Sequence, residues 1–415
     1  MLGKEYFKKR LIDIYDYSIL PYKSGTGIFL WDGDEYSVRW EVIVAVTGEL
    51  ILVISIPQLS TFSSDKFKHR GSLKGETDDG LWKIIAADVF VYNSQFAFDN
   101  KTSIHLICGA TTVDIKRNAA YGEPSHIIGH LLNFDFLGLE VSQKERGWAR
   151  DKFTVVAYDR DIVFRNSAHK VDIKEQVDSK RIDRAVLSTV NIPLKKGEKQ
   201  DLIEDYLRKI SWFLSLLNIN LIVSPVVEYW DDGILVQVHY RNLKTLPYRY
   251  LPIINNEHID SGLRLIFEEC YTNFLELDER LNLTIIIKHL SSMHNADYME
   301  HKLAILIMAY EYLLYNYLLE QGYSAKELED LNIQQRLGRL NKIMRFIPKE
   351  LLEDTFRNEV RNPLFHAGLI PNLGSDERRE LFFKYYNLLI QIILRLLGYT
   401  GSYISPIGFK PVGLS

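Results

Sequence analysis

The stretch LIVSPVVEYWDDGILVQVHY, residues 221–240, decides the first half of the fold. Two runs rich in β-branched and aromatic residues, Leu221–Trp230 and Ile234–Tyr240, flank Asp232-Gly233. Asp-Gly between apolar runs predicts a tight hairpin, because the central turn positions need positive φ. Asp79-Gly80 repeats the device between Gly71–Thr77 and Leu81–Tyr92. Glu49–Ile56 is a β-branched run stopped by Pro57, and Ser103–Val113 and Phe153–Phe164 predict two further strands. One helix interrupts them. Within Glu198–Leu217, residues Leu202, Ile203, Tyr206, Ile210, Phe213 and Leu217 recur at helical spacing. Trp31, Trp40, Trp82 and Trp230 are expected in the core of this half.

From about residue 257 the texture changes to helix after helix. The pattern predicts helices at Ile259–Leu277, Leu281–Ser291, Ala296–Gln321, Gln334–Phe346, Lys349–Ala367 and Asp376–Leu397. Gly322, Pro348, Gly368 and Gly398 supply the stops, and Ser375-Asp376-Glu377 caps the last helix. Leu246–Asn256, with Pro247 and Pro252, reads as the linker. The expected fold class is α+β and multidomain: a β-rich N-terminal domain over residues 1–248 and an all-α helical bundle over 257–400.

Composition bounds the function. The 415 residues are 47% hydrophobic and 25% charged, which excludes a disordered or low-complexity chain. A net charge of −4 argues against a protein that coats polyanions, and residues 250–415 hold 17 Lys+Arg against 21 Asp+Glu. Cys108 and Cys270 are the only cysteines, too few for a disulfide framework or a four-thiolate zinc site. Charges interrupt Met1–Arg10 too early for a signal peptide. Leu303–Leu319 is apolar but short for a membrane span, and Lys384, Asn387, Gln391 and Arg395 lay a polar stripe along Leu381–Leu397. The expected location is cytoplasmic, with no membrane partner.

One short segment carries chemistry: Arg361-Asn362-Pro363-Leu364-Phe365-His366-Ala367-Gly368. Five Arg-Asn pairs occur, at 117, 165, 241, 357 and 361, and only the last meets a histidine five residues after the Arg. Asn362 and His366 are four apart, so on a helix they share a face, and the amide could orient the imidazole. Arg361 is a planar cation that binds two phosphate oxygens at once. An ideal helix would point Arg361 and His366 about 140° apart. Pro363 crowds that turn, and a kink there could swing Arg361 toward His366. An arginine, an amide and a histidine without a carboxylate or cysteine cluster suggest metal-free attack on a phosphodiester, with the RNA 2′-hydroxyl as nucleophile. Proton transfer is needed on both sides of phosphorus. One chain offers one such histidine, so a second copy would complete the site.

The segment resembles the Arg–polar–three–His motif of HEPN domains, helical bundles found in many RNases. The plan of the whole chain is similar to that of ApeA-like anti-phage proteins, which pair a β-rich N-terminal domain with a C-terminal HEPN domain. Leu73–Gly80 resembles their Gly-x-Thr-x-Asp-Gly turn. The resemblance implies a metal-independent endoribonuclease of anti-phage (abortive infection) defence, acting as a homodimer and leaving a 2′,3′-cyclic phosphate. By the same resemblance Arg361 and His366 are catalytic and Asn362 assists. No cofactor or metal is implied; the partners are RNA, a second copy and a phage-derived trigger. Nucleotidylation-silenced HEPN toxins carry a tyrosine two residues after the histidine, where this chain has Gly368. The alternative is a HEPN module that holds nucleotide, RNA or a protein partner without cutting. A nucleotide-modifying enzyme would need a carboxylate-bound metal, for which no motif is seen.

Several residues stay open at this level. Glu311 lies midway along an apolar helix and would either pair with Arg361 or face solvent; Glu353 and Glu359 are other partners for Arg361. Arg336, Arg339, Lys342 and Arg345 either steer RNA or form a solvated face. His289, His294 and His301 lack metal spacing and read as surface or capping residues.

Overall fold

The computed structural model describes residues 19–57, 69–98, 102–119, 122–138, 140–144, 147–249, 251–254 and 262–414. Met1–Arg10 and the start of the helix expected from Ile259 lie outside them. Two compact units emerge. The first comprises residues 1–154, 158–208 and 222–248, and the second 155–157, 209–221 and 249–415.

The first unit is built on strands. In chain order they are β1 (Leu20–Trp31), β2 (Asp34–Val44), β3 (Leu50–Pro57), β4 (Gly71–Thr77), β5 (Trp82–Phe98), β6 (Thr102–Gly109) and β7 (Thr112–Arg117). They continue as β8 (His126–Leu132), β9 (Glu140–Lys144), β10 (Gly147–Ala157), β11 (Arg160–Asn166), β12 (Val186–Pro193), β13 (Val223–Asp231) and β14 (Ile234–Arg241). Their order in the sheet is β4-β1-β2-β3-β6-β5-β7-β14-β13-β8-β12-β11-β10-β9, and β4 also pairs with β5. That extra pairing closes six strands, β4-β1-β2-β3-β6-β5, into a ring with no free edge. The hairpin expected at Asp232-Gly233 is present as β13–β14, with both turn residues at positive φ. Pro225 falls where β13 shifts register against β8, a place where a missing N–H does no harm.

The turn after β4 shows why a threonine, an aspartate and two glycines occur together there. Gly75 lies against Trp40, whose Nε1 donates to the Thr26 carbonyl at 3.1 Å. Thr77 Oγ1 donates to Asp79 Oδ1 at 2.5 Å and accepts from the Trp82 amide at 3.1 Å. Asp79 Oδ1 also accepts from the Leu81 amide, and the Thr77 hydroxyl and this amide together hold its carboxyl below the ordinary aspartate range. Gly80 turns the chain at φ +67°, and Asp78 pairs with Arg39 at 2.8 Å. Trp31, Trp40 and Trp82 are buried in the core, whereas Trp230 is half-buried and stacks on His126.

Two expected strands are each broken in two. Ser103–Val113 divides at Ala110-Thr111 into β6 and β7, which do not pair with each other but follow one another along β5. Phe153–Phe164 divides into β10 and β11 because Tyr158 and Asp159 both take positive φ, a turn made without glycine or proline. The helix Lys170–Asp178 was not expected; its Ile173 and Val177 pack with Val46, Ala185 and Leu187. The helix Gln200–Asn218 buries Ile203, Ile210, Phe213 and Leu217 of the stripe expected for Glu198–Leu217, while Leu202 is exposed.

The second unit contains helices Leu263–Leu281, Leu283–Asn295, Met299–Glu320, Ala325–Glu329, Ile333–Met344 and Ser375–Leu396. Between the last two, the expected helix Lys349–Ala367 is broken into a 3-10 turn Lys349–Leu351, a π-helical segment Phe356–Arg361 and an α-helical turn Asn362–Ala367. Asn282 separates the first pair from the left-handed region, with its amide on the Asp278 carbonyl. The last helix is capped by Glu377, which accepts from the Gly374 amide at 2.7 Å; Ser375 is already helical. The bundle is not purely helical, since a hairpin of β15 (Ser402–Ser405) and β16 (Lys410–Gly413) follows. The polar stripe of the last helix holds this hairpin: Gln391 donates to the Tyr403 hydroxyl, which donates to Asn387. Met299–Glu320 is the one described helix long and apolar enough to cross a membrane, and eight of its residues are buried within the protein.

His294 corrects the surface reading. It is largely buried, with Nε2 2.8 Å from the Tyr386 hydroxyl. Burial first, then the charges of Lys302 and Arg249, push its pKa down to about 4. The unfolded chain therefore binds a proton that the folded one refuses between about pH 6.5 and 4. Stability is expected to fall by up to about 3 kcal/mol as pH drops through that window. Denaturant unfolding at pH 7 and pH 4.5 checks this, and His294→Gln should flatten the difference. In the other unit, Gly75→Ala would place a Cβ 2.5 Å from both Thr26 O and Trp40 Nε1. It is expected to cost more than Gly80→Ala, about 1–3 against about 1 kcal/mol, by the same assay.

Candidate functional site

Glu311 lies on the central apolar helix, Met299–Glu320, and is the only acid between Glu300 and Glu320. That helix is fixed by Tyr310, fully buried, whose hydroxyl donates to the Tyr385 carbonyl at 2.5 Å. Phe356, at the start of the π-helical segment, stacks on the same Tyr385 at 3.8 Å. Phe356 and Val360 bury one side of the segment, so Arg357 and Arg361 are carried on its rim. The wide turn comes directly before Pro363, which has no N–H to give. A π register in such a place accommodates proline without a sharp break. From Asn362 the chain is α-helical, and Gly368 ends it at φ +73° with its amide on the Leu364 carbonyl.

Arg361 is held firmly. Its Nε and Nη2 both donate to Glu311 Oε1, at 3.2 and 3.0 Å, and its Nη1 lies 3.5 Å from Asn362 Oδ1. The guanidinium also lies over the Phe365 ring, 5.4 Å from the centroid. Glu311 is thus the partner, in place of Glu353 or Glu359. Arg361 and Asn362 line a polar pocket of about 320 Å³ together with Glu311, Arg336, Arg357 and Asp330. Arg336 is engaged: it donates twice to the Leu328 carbonyl, at 2.7 and 3.2 Å, and lies over Tyr315. Arg357 forms no ion pair among the described residues.

His366 stands apart. It is exposed in the last turn before Gly368 and is not among the residues lining the pocket. Among the described residues no hydrogen bond joins it to Asn362, so the expected orienting amide contact is not made. The expected swing of Arg361 toward His366 is not made: a π-helical segment ends at Arg361, the chain is α-helical through Pro363, and the guanidinium pairs with Glu311. The stretch from Asn362 to His366 keeps α-helical geometry, which leaves Arg361 and His366 on different sides of the turn.

Glu311 and Arg357 were the residues that sequence reasoning did not assign. A lone carboxylate in an apolar helix was the available signal for Glu311; Arg357, one helical turn before Arg361, gave none. The basic series after residue 333 does not form a free stripe. Arg339 lies over Tyr323, and Arg345 ends its helix at φ +58°. Lys342 is exposed. Among the described residues no three His, Cys, Asp or Glu side chains converge on a point that would hold a metal ion.

Chemically, the pocket of about 320 Å³ balances three guanidinium groups, Arg336, Arg357 and Arg361, against three carboxylates, Glu311, Glu329 and Asp330, so an anion entering it would meet guanidinium donors and the Asn362 amide beside acidic groups. The Arg361–Glu311 pair is about one-third exposed on each side, so solvent screens it. A double-mutant cycle with Glu311→Gln and Arg361→Gln is expected to give a coupling below about 1 kcal/mol in unfolding free energy. The pair positions a side chain more than it holds the fold together. Against known proteins, neither a family model nor a curated sequence matches the chain.

Proposed function

We propose that the helical unit is a metal-independent endoribonuclease of the HEPN type, and that the chain serves in anti-phage defence through abortive infection. The observation that carries the reading is the placement of Arg361. A carboxylate grips one edge of its guanidinium, while the residue lines a polar pocket beside Asn362 and Arg357. A cation held in this way is pre-oriented for phosphate oxygens.

In this reading the RNA 2′-hydroxyl attacks the adjacent phosphorus and the 5′-oxygen leaves. The products are a 2′,3′-cyclic phosphate and a 5′-hydroxyl end. A base takes the 2′-proton and an acid protonates the departing oxygen. His366 of each copy fills one of these two roles, which makes the active species a homodimer. Its exposure at a helix end, away from Arg361 of its own chain, suits a side chain that meets a second copy. Arg361 stabilises charge on the non-bridging oxygens, and Asn362 assists. The β-rich unit is the regulatory part, responding to a phage-derived trigger, and the protein acts in the cytoplasm.

A second reading has its own support. A pocket holding Arg357, which forms no ion pair among the described residues, would retain a nucleotide phosphate without cutting it, and the helical unit would then be a binding module.

The test is RNA cleavage by the full chain in EDTA. His366→Ala and Arg361→Ala are each expected to slow it at least about 100-fold. Cleavage that is equal in the variants, or that requires divalent metal, overturns the nuclease reading. A monodisperse, fully active monomer overturns the shared site.

A further inference from the structure

A second cavity, within the helical unit and separate from Arg361, has a different character. It measures about 420 Å³, in the range of small-molecule sites. Its walls are largely apolar, and they include the rings of Phe382, Phe383 and Tyr386 of the last helix and Phe409 of the hairpin turn. Two cations, Arg249 and Lys302, stand at it, and no carboxylate lines it. Neither cation forms an ion pair among the described residues. Their charge reaches His294, which also lines the cavity, and helps keep it neutral.

Phe409 adds an independent sign. It is 63% exposed and adopts φ +52°, a backbone region that a bulky L-residue rarely takes. Gly408 before it is also at positive φ, so this turn presents an aromatic ring to solvent beside an apolar hollow. Strain of this kind persists where surrounding structure imposes it, commonly at ligand sites.

We propose that this cavity binds an amphipathic anion, with its apolar body among Phe382, Phe383, Tyr386 and Phe409 and its carboxylate or phosphate head between Arg249 and Lys302. An apolar molecule alone would leave both cations unmatched. A highly charged one would leave the aromatic walls in contact with polar groups. A single anionic head on a hydrocarbon or ring satisfies both.

The experiment is isothermal titration of the full chain with three probes of one body: octanoate, octyl phosphate and octanol. At least one of the two anions is expected to bind tenfold or more tighter than octanol. The tighter of them shows whether the head is a carboxylate or a phosphate. The pair of substitutions Arg249→Gln and Lys302→Gln is expected to remove that advantage while leaving octanol binding and the circular dichroism spectrum unchanged. The bound anion should also raise the titration midpoint of His294, followed by NMR. Octanol binding as tightly as both anions, or anion binding undiminished in the double variant, overturns the proposal.

Discussion

The candidate site of the helical unit depends on how one acidic side chain is accommodated in a helix that is otherwise apolar. Met299–Glu320 buries eight residues, and Glu311 sits among them at the helix flank. That carboxylate is about one-third exposed, so a partner matters less for stability than for the orientation it imposes. Arg361 is that partner. The geometry follows from a chain of constraints: Tyr385 receives both the Tyr310 hydroxyl and the Phe356 ring, and Pro363 denies the next turn a donor. The segment between them takes a π register, which aims Arg361 at Glu311. The polar pocket is the consequence, since two charged side chains and Asn362 keep apolar groups from closing over it.

The strand-rich unit solves a different problem. A long antiparallel sheet exposes edges that invite aggregation, and here β5 pairs with both β4 and β6 to close six strands into a ring. Closure needs close backbone approach, which is why Gly27 and Gly75 face each other between β1 and β4. The Thr77–Asp79–Gly80 turn then feeds β5 in the right direction. This turn is architectural in every contact the structure describes. The regulatory role proposed for this unit does not rest on it.

Much of this was legible in sequence, for identifiable reasons. Asp232-Gly233 and Asp79-Gly80 marked turns because they sit between runs that only strands accommodate. The bundle helices were legible because their apolar residues repeat at helical spacing over long stretches. The hairpin at Tyr158-Asp159 was not legible, since nothing about tyrosine signals positive φ. Nor was the split of Lys349–Ala367, where periodicity reads as one helix and only proline hints at a changed register. Arg361, Asn362 and His366 stood out as a spacing, yet spacing could not show that Arg361 turns toward Glu311 and leaves His366 exposed. The polar stripe of Lys384, Asn387, Gln391 and Arg395 was visible, but its role in holding a hairpin depends on Tyr403, which follows the helix in a stretch with no strand signal. His294 reads as a surface or capping group because it lacks metal spacing with His289 and His301; its burial against Tyr386 is a tertiary fact.

The central claim is chemical: ribose supplies the nucleophile and the protein supplies positioned charge and a proton carrier. The most direct measurement compares two oligonucleotides of one sequence under chelating conditions, one all-ribose and one with each 2′-hydroxyl replaced by hydrogen. Cutting of the ribose strand alone, with a cyclic phosphate at the new end, is the expected result. Cutting of both strands at similar rates would contradict it.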